Sequence, residues 1–212
     1  MCSPELMFIQ MAQTFTEARL MELGYELCGW YGISSDGSGM FKRSPLTSVE
    51  DLVAYASANS TLRGTRKALK VLPYVSNNSA SPMESKLAAL LAMPCKLGGY
   101  GLPLPIMNHK VDAAGRAFYL DLCWPDSHIG GEYDSRLFHT GADRNIHDSQ
   151  RRNALADAGF DIVTITAPEI RNILALDGIA KQFARALGVP TRERSASYAV
   201  RQENLFRELF AA

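Results

Sequence analysis

The segment that most constrains the fold is residues 160–166, Phe-Asp-Ile-Val-Thr-Ile-Thr, in which apolar and β-branched side chains dominate. A short run of this kind is typical of a buried β-strand. Helical patterns lie on both sides of it, over residues 146–158 and 169–187, and Gly159 marks the end of the first helix. We therefore predict an α/β protein in which residues 160–166 form a central strand between these two helices.

The mixed pattern extends over residues 80–190. A helical segment comes first, a β-prone segment follows at residues 117–124, and a second one surrounds Glu132. The predicted order is helix, strand, strand, helix, strand, helix. This order indicates an α/β fold with a central mixed sheet flanked by helices.

The two ends of the chain differ from this region. Residues 1–79 are mainly helical by the spacing of their apolar side chains, except for residues 31–45, where Gly, Ser and Pro predict a loop. Residues 191–212 are charged and end in a helical, partly apolar stretch that could dock on the core or on a partner, either another protein or a second copy of the chain. We expect three parts: a small, mainly helical region (1–79), an α/β domain (80–190) and a tail helix (191–212).

The charge balance limits how the chain could bind nucleic acid. Lys and Arg number 22, Asp and Glu also number 22, and the net charge is zero. This excludes a protein that coats nucleic acid through a generally basic surface, so a DNA partner would need a local patch. One candidate is a helical stripe of basic residues, which is either a solvated face or a set of phosphate contacts: Arg63, Arg66, Lys67 and Lys70.

Cysteine and histidine usage argues against a zinc site. The four cysteines are far apart and form no C-x-x-C pair, and the four histidines are equally scattered. Free thiols favour a reducing compartment. The first residues lack the pattern of a secretory leader, and no apolar run approaches membrane-spanning length. We expect a cytoplasmic protein without membrane contact.

Three acidic residues lie close together in the β-prone region. Asp121 ends one predicted strand, and Glu132 begins the next after ten intervening residues. A hairpin would bring them together, and Asp134 would share a face with Glu132. Such carboxylates repel one another unless a cation joins them, and Mg²⁺ or Mn²⁺ is suited to that role. The chemistry indicated is phosphodiester hydrolysis. The alternative is an exposed hairpin whose acids face solvent.

Several motifs resemble a known family. In chain order they are SPMES (81–85), LDLCWP (120–125), EYDSRLFH (132–139), DSQR (148–151) and LADAGF (155–160). They resemble the very-short-patch-repair-like branch of the PD-(D/E)XK, restriction-endonuclease-like superfamily. They are most similar to endonuclease-like domains that follow abortive-infection antitoxin-type regions in actinobacterial proteins. The resemblance covers about half of the chain, and the region before it is only weakly similar to those antitoxin-type regions.

The resemblance implies a metal-dependent nuclease core and assigns its residues. The Asp of the superfamily falls on Asp121 and the Glu of its E-x-K motif on Glu132, which would together bind Mg²⁺ or Mn²⁺. Asp134 replaces the lysine of E-x-K, as is usual in this branch, and Ser135 replaces the glycine that commonly follows. The remaining positions that the resemblance aligns with the site are Glu84, His139, Asp148, Arg151 and Arg152.

Two functions follow as hypotheses. The first is a Mg²⁺-dependent DNA endonuclease of a defence or toxin–antitoxin system, in which Arg151, Lys86 or His139 does the work of the missing lysine. The second is a catalytically inactive regulator that keeps the nuclease fold to bind DNA or protein. Glu84 has a structural alternative, because Ser81 and Glu84 form a capping-box pattern. Neutralising Asp121 or Glu132 is expected to raise the stability of the metal-free protein slightly by relieving repulsion.

Overall fold

The computed structural model describes residues 2–36, 39–134, 142–190 and 195–210, with side chains of the helix that begins at Ala142 described from Ser149 onwards. The fold is mixed α/β, as expected. The chain divides into two compact units, Met1–Leu104 with Arg194–Ala212 and Pro105–Glu193. This division groups residues 80–104 and the tail helix with the N-terminal region, whereas the sequence analysis grouped residues 80–104 with the α/β domain.

The first unit consists mainly of helices. Within the described residues they are joined by short turns and accompanied by one two-stranded sheet. In chain order the elements are α1 (Pro4–Met11), α2 (Glu17–Leu27), β1 (Tyr31–Ile33), β2 (Met40–Lys42), α3 (Val49–Ala58), α4 (Thr65–Val71), α5 (Pro82–Ala92) and α9 (Ala196–Phe210).

Side-chain caps explain where four of these helices begin. Ser3, Thr16, Ser48 and Ser81 each have an extended backbone and accept a hydrogen bond from the N–H three residues ahead. Such a cap satisfies a donor that the first helical turn leaves without a partner. The starts predicted at Ser3, Thr16 and Ser81 are confirmed.

The loop predicted at residues 31–45 is in part a β-hairpin. Strands β1 and β2 pair antiparallel, with Tyr31 opposite Lys42, Gly32 opposite Phe41 and Ile33 opposite Met40. The Gly, Ser and Pro content that predicted a loop is concentrated at the turn and after β2, while Tyr, Ile, Met and Phe occupy the paired positions. The prediction was wrong for these two short strands because composition was averaged over the whole segment.

The tail helix α9 packs on its own unit. Leu205 and Leu209 are buried, and the hydroxyl of Tyr198 donates to the carbonyl of Gly99 over 3.1 Å. The Nε of Arg201 donates to the carbonyl of Cys95. Of the two docking modes expected for the tail, docking on the core is therefore present.

The second unit contains a four-stranded sheet in the order β3-β4-β5-β6. Strands β3, β4 and β5 are antiparallel to their neighbours, and β5 and β6 are parallel. The elements are β3 (Ile106–Ala113), β4 (Arg116–Trp124), β5 (Ile129–Asp134), α6 (Ala142–Asp157), β6 (Asp161–Thr166), α7 (Ala167–Ile170) and α8 (Ile173–Ala186). The sequence analysis missed β3, whose polar Asn108, His109 and Lys110 interrupt the apolar pattern.

The predicted central position of residues 160–166 is wrong. They form β6 as a strand, but among the described residues β6 pairs only with β5 and so lies at an edge of the sheet. Its apolar side chains Val163 and Ile165 are nevertheless buried. The run is apolar because helices pack against the strand, and burial by helices leaves the same sequence pattern as burial between strands.

Helices cover the two faces of the sheet. On the α6 face, Leu120, Phe118 and Cys123 form a core cluster with Leu155 of α6. On the α8 face, Trp124 packs against Phe183 with ring centroids 5.0 Å apart and the ring planes tilted by 50°. The helix predicted at residues 169–187 is divided into α7 and α8, because the side chain of Asn172 caps a new helix start. In the part of the chain that the structure describes, no helix combines the length and apolar content needed to cross a membrane.

Candidate active site

The candidate site is centred on a point in β4 where side chains change face. A Cβ added to Gly130 would lie 2.9 Å from Leu120 Cδ1, whereas one added to Gly131 would lie 3.5 Å from Leu122 Cβ. Since neighbouring residues of a strand face opposite sides, Leu120 and Leu122 also face opposite sides. In a regular strand, residues two apart such as Leu120 and Leu122 would lie on the same face of the sheet. The change occurs at Asp121, which lies between them.

The neighbouring strand is distorted at the same level. The β3–β4 register pairs Met107 with Leu122 and His109 with Leu120, which leaves Asn108 opposite Asp121. Asn108 has a φ of 48°, in the left-handed region that Asn tolerates better than most residues. Backbone irregularities of this kind re-aim side chains next to active sites. The distortion therefore sets the direction of the Asp121 side chain.

Asp121 uses its carboxylate to continue the ladder between β4 and β5. The last backbone-paired positions are Leu122 and Gly131, and the same register continued by one residue places Asp121 opposite Glu132. At that level Asp121 Oδ2 accepts a hydrogen bond from the backbone N–H of Tyr133 over 2.8 Å. The carboxylate of Asp121 is thus held against the backbone beside Glu132.

Glu132 is bound by an arginine from helix α6. The Nε of Arg151 donates to Glu132 Oε1 over 3.1 Å, and its Nη2 donates to the same oxygen and to the carbonyl of Tyr119 over 2.8 Å. The guanidinium carbon lies 5.4 Å from the centre of the Phe118 ring. Three kinds of contact therefore fix this cation on the carboxylate.

The residues directly after Asp121 in β4 lie in the apolar core. Cys123 is fully buried, and burial raises the pKa of its thiol to about 11. Burial also raises the pKa of the Tyr133 hydroxyl. The half-buried Asp121, Glu132 and Asp134 therefore lie at the border between the sheet core and solvent, where an ionic interaction is stronger than in bulk water.

The three acids do not form a closed metal cage. Among the described residues, no three His, Cys, Asp or Glu side chains are close enough together to hold one ion. The expected gathering of Asp121, Glu132 and Asp134 around a single point is thus not found. Asp121 is held at the backbone of Tyr133, next to Glu132, and carboxylate oxygens are donors that suit Mg²⁺ or Mn²⁺. Mg²⁺ commonly uses one or two carboxylates and keeps several waters. Two carboxylates are therefore enough protein ligands for such an ion.

Glu84 belongs to the other compact unit, where it closes the start of α5. Its Oε1 accepts the Ser81 hydroxyl over 2.8 Å, and its Oε2 accepts the backbone N–H of Ala80 over 3.0 Å. Ser81 accepts the N–H of Glu84 in return. Glu84 therefore takes part in the cap of α5, but its Oε2 accepts the N–H of Ala80, whereas a capping box would use the N–H of Ser81. The next residue, Ser85, hydrogen-bonds the buried Tyr31 hydroxyl over 2.9 Å, so the SPMES motif has a structural reason.

Some of the remaining predicted residues lie outside the described part of the chain, and the others are placed by the structure. The first group consists of His139, Ser135 and the side chain of Asp148. In the second group, Arg152 is an exposed residue of α6. Lys86 lies in the first unit, where it forms an ion pair with Glu22 over 3.6 Å. In the basic stripe, Lys67 donates to the carbonyl of Phe15 and Lys70 pairs with Glu17. These lysines serve their own unit as structural contacts.

The sequence analysis missed four features of the site. Phe118 and the carbonyl of Tyr119 hold Arg151, Asn108 distorts the strand beside Asp121, and the glycines before Glu132 admit side chains on both faces. The Gly130–Gly131 pair was the one visible signal, because adjacent glycines inside a strand indicate a close approach by other groups. The other features depend on register and could not be recognised along the chain.

Comparisons with known proteins give relatives but no activity. The chain is 29% identical over 110 residues to the uncharacterized protein MT2308 of Mycobacterium tuberculosis strain CDC 1551 / Oshkosh, and equally to the uncharacterized protein Rv2248 of strain ATCC 25618 / H37Rv. The match covers 51% of this chain and 38% of each relative. No family model matches the chain. No solved structure matches it either.

Proposed function

We propose that this chain is a divalent-metal-dependent DNA endonuclease whose centre is Asp121 and Glu132. The observation that carries the proposal is that Asp121 accepts the N–H of Tyr133, the residue next to Glu132 on the neighbouring strand, while a guanidinium from α6 binds Glu132. Two acids and a fixed arginine supply what phosphodiester hydrolysis requires: a cation-binding pair and a donor for phosphate oxygens. The resemblance to restriction-endonuclease-like proteins supports the same chemistry.

Each residue has a defined part in this proposal. Asp121 and Glu132 hold Mg²⁺ or Mn²⁺, and the bound ion withdraws charge from the phosphate and makes an attacking water more acidic. Asp134 occupies the position of the E-x-K lysine, and Arg151 performs the role of that lysine. Its N–H groups can donate hydrogen bonds to a phosphate oxygen. Asp134 and His139 assist by orienting water or accepting a proton. Glu84 supports the fold as a helix cap.

The compartment and the partner follow from the same proposal. All four cysteines are free, and Cys28 and Cys123 are buried thiols, which suits the reducing cytoplasm. The partner is DNA, held by local cations, because the net charge of the chain is zero. A homodimer or a partner protein would have to use a surface other than the side of α9 that carries the buried Leu205 and Leu209.

One observation favours a second function. Arg151 forms an ion pair with Glu132, so a side chain of the protein already balances the charge of this carboxylate. A regulator that keeps the fold but does not cut DNA would show the same ion pair. The two functions differ in one respect: the nuclease needs the negative charge of Asp121 and Glu132, whereas the regulator needs only their shape.

The test is a cleavage assay with isosteric variants. The chain is incubated with supercoiled, nicked, mismatched and single-stranded DNA in Mg²⁺ or Mn²⁺. Cleavage by the natural sequence and its loss in Asp121→Asn and Glu132→Gln support the nuclease. Asp126→Asn, a neutralised exposed acid in the turn before β5, is the matched control and should cut normally. Metal-independent DNA binding without cleavage of any substrate would support the regulator.

A further inference from the structure

Arg151 and Glu132 form an ion pair at the border of the core. The side chain of Arg151 is 31% exposed and that of Glu132 is 24% exposed, so neither is fully solvated. The Nε and Nη2 of Arg151 both donate to the same oxygen of Glu132, Oε1. The pair is therefore more than a transient contact between mobile surface groups.

The same carboxylate is the ligand that the proposed function assigns to a divalent cation. A guanidinium and a metal ion at one carboxylate repel each other, and this repulsion is strong where water is partly excluded. Each cation at Glu132 therefore weakens the binding of the other. Arg151 also has contacts that do not involve Glu132: the carbonyl of Tyr119 and the ring of Phe118.

We propose that Arg151 is an internal counter-ion that occupies Glu132 in the metal-free protein and exchanges with the divalent cation. When it leaves Glu132, Arg151 stays beside the site through Tyr119 and Phe118, and its N–H groups become available to a phosphate oxygen. Metal binding and the availability of a phosphate-binding arginine are thereby coupled. This inference rests on the proposed function and adds the regulation of its site.

The coupling predicts effects of opposite sign from one substitution. Removing the guanidinium removes the competitor, so Mn²⁺ should bind more tightly. It also removes a donor to phosphate, so DNA cleavage should become slower. A residue with a merely structural role would weaken both metal binding and cleavage when it is replaced. The sign of the change in metal affinity therefore distinguishes a counter-ion from a structural residue.

Arg116 provides a matched control. Its guanidinium carbon also lies near the Phe118 ring, 5.8 Å from the centre, but the structure records no ion pair between Arg116 and Glu132 in the described part of the chain. Arg116→Met and Arg151→Met thus remove the same charge and the same kind of ring contact. Only the second frees the carboxylate of Glu132.

The experiment measures Mn²⁺ binding to the full chain by the loss of the free-ion signal in electron paramagnetic resonance. Arg151→Met should bind Mn²⁺ about fivefold more tightly, the factor that corresponds to a partly exposed ion pair, while Arg116→Met changes affinity less than about twofold. In a Glu132→Gln background, Arg151→Met should no longer tighten binding, because the two residues act on one another. Circular dichroism checks that each variant is folded.

The outcomes separate this inference from the proposed function. Mn²⁺ binding by the natural sequence with equal or weaker binding in Arg151→Met overturns the counter-ion role but leaves the metal site. Absence of Mn²⁺ binding in every variant overturns both. If Arg151→Met does not fold, Arg151→Gln decides, since it also removes the positive charge beside Glu132. It should still bind Mn²⁺ more tightly than the natural sequence, and unchanged affinity would contradict the proposal.

Discussion

The carboxylate of Asp121 accepts the backbone N–H of Tyr133 over 2.8 Å, so a side chain occupies a place where a strand ladder normally has a carbonyl. Asp121→Asn keeps an oxygen that can accept this hydrogen bond, whereas Asp121→Ala leaves the N–H of Tyr133 without this acceptor. We predict that Asp121→Ala lowers the free energy of unfolding by about 1 kcal/mol more than Asp121→Asn does. Urea denaturation of both variants measures the difference, and equal losses would mean that the bond contributes nothing.

Glu132→Gln should destabilise the metal-free protein. The sequence analysis expected the opposite, because it considered only repulsion between acids. Arg151 provides the opposite charge at Glu132, so the neutral amide weakens an attraction. We predict a loss of about 1 kcal/mol, which becomes smaller at high salt as charges are screened. Thermal denaturation at low and high salt checks both the sign and the salt dependence, and a stabilised variant would rule out the ion pair.

Gly130 should resist replacement by alanine. A Cβ at this position would lie 2.6 Å from Ile162 Cδ1 and 2.9 Å from Leu120 Cδ1, so the neighbouring side chains must shift. We predict that Gly130→Ala costs about 1–2 kcal/mol of stability. Gly178→Ala is the control, because it is exposed in α8 and nothing lies within 4 Å of its added Cβ. It should stabilise by about 0.5–1 kcal/mol. Chemical denaturation of the two variants should give shifts of opposite sign.

Glu84 variants can separate capping from catalysis. Both oxygens of Glu84 accept hydrogen bonds at the start of α5. We predict that Glu84→Ala lowers stability by about 1 kcal/mol and that Glu84→Gln, which keeps one acceptor, loses less. If the role is capping, Glu84→Gln retains the metal-dependent cleavage of the natural sequence. A folded Glu84→Gln protein that no longer cuts DNA would instead assign its charge to the active site.

Stability should fall at alkaline pH because of buried thiols. Burial raises the pKa of Cys28 to about 12 and that of Cys123 to about 11. A cysteine thiol in an unfolded chain has a pKa of about 8.5. Above that pH the unfolded chain releases protons that the folded chain keeps, so rising pH favours unfolding. We predict a decline in the free energy of unfolding between about pH 8.5 and 11, measured by urea denaturation at each pH. Cys123→Ala should reduce the slope, whereas Cys2→Ser, at an exposed thiol, should not.

Much of the local structure could be predicted along the chain, because it depends on neighbours in sequence. The helix starts at Ser3, Thr16 and Ser81 follow from side chains that bond N–H groups three residues away. The capping role of Glu84 follows in the same way. The strand at residues 160–166 follows from its β-branched side chains, and the expected hairpin after Asp121 is present as the antiparallel pair of β4 and β5.

Only the tertiary structure decided how these pieces combine. The edge position of β6 and the existence of β3 depend on which strands pair, and backbone pairing leaves little trace in side-chain type. The change of face at Asp121 comes from a distortion shared with Asn108 on another strand. Arg151 reaches Glu132 from 19 positions away in the chain, because α6 packs across Phe118. The sequence by itself determined which residues carry charge and where the capped helices and the most apolar strand begin. The fold determined which charges meet, because register and packing join residues that the sequence separates.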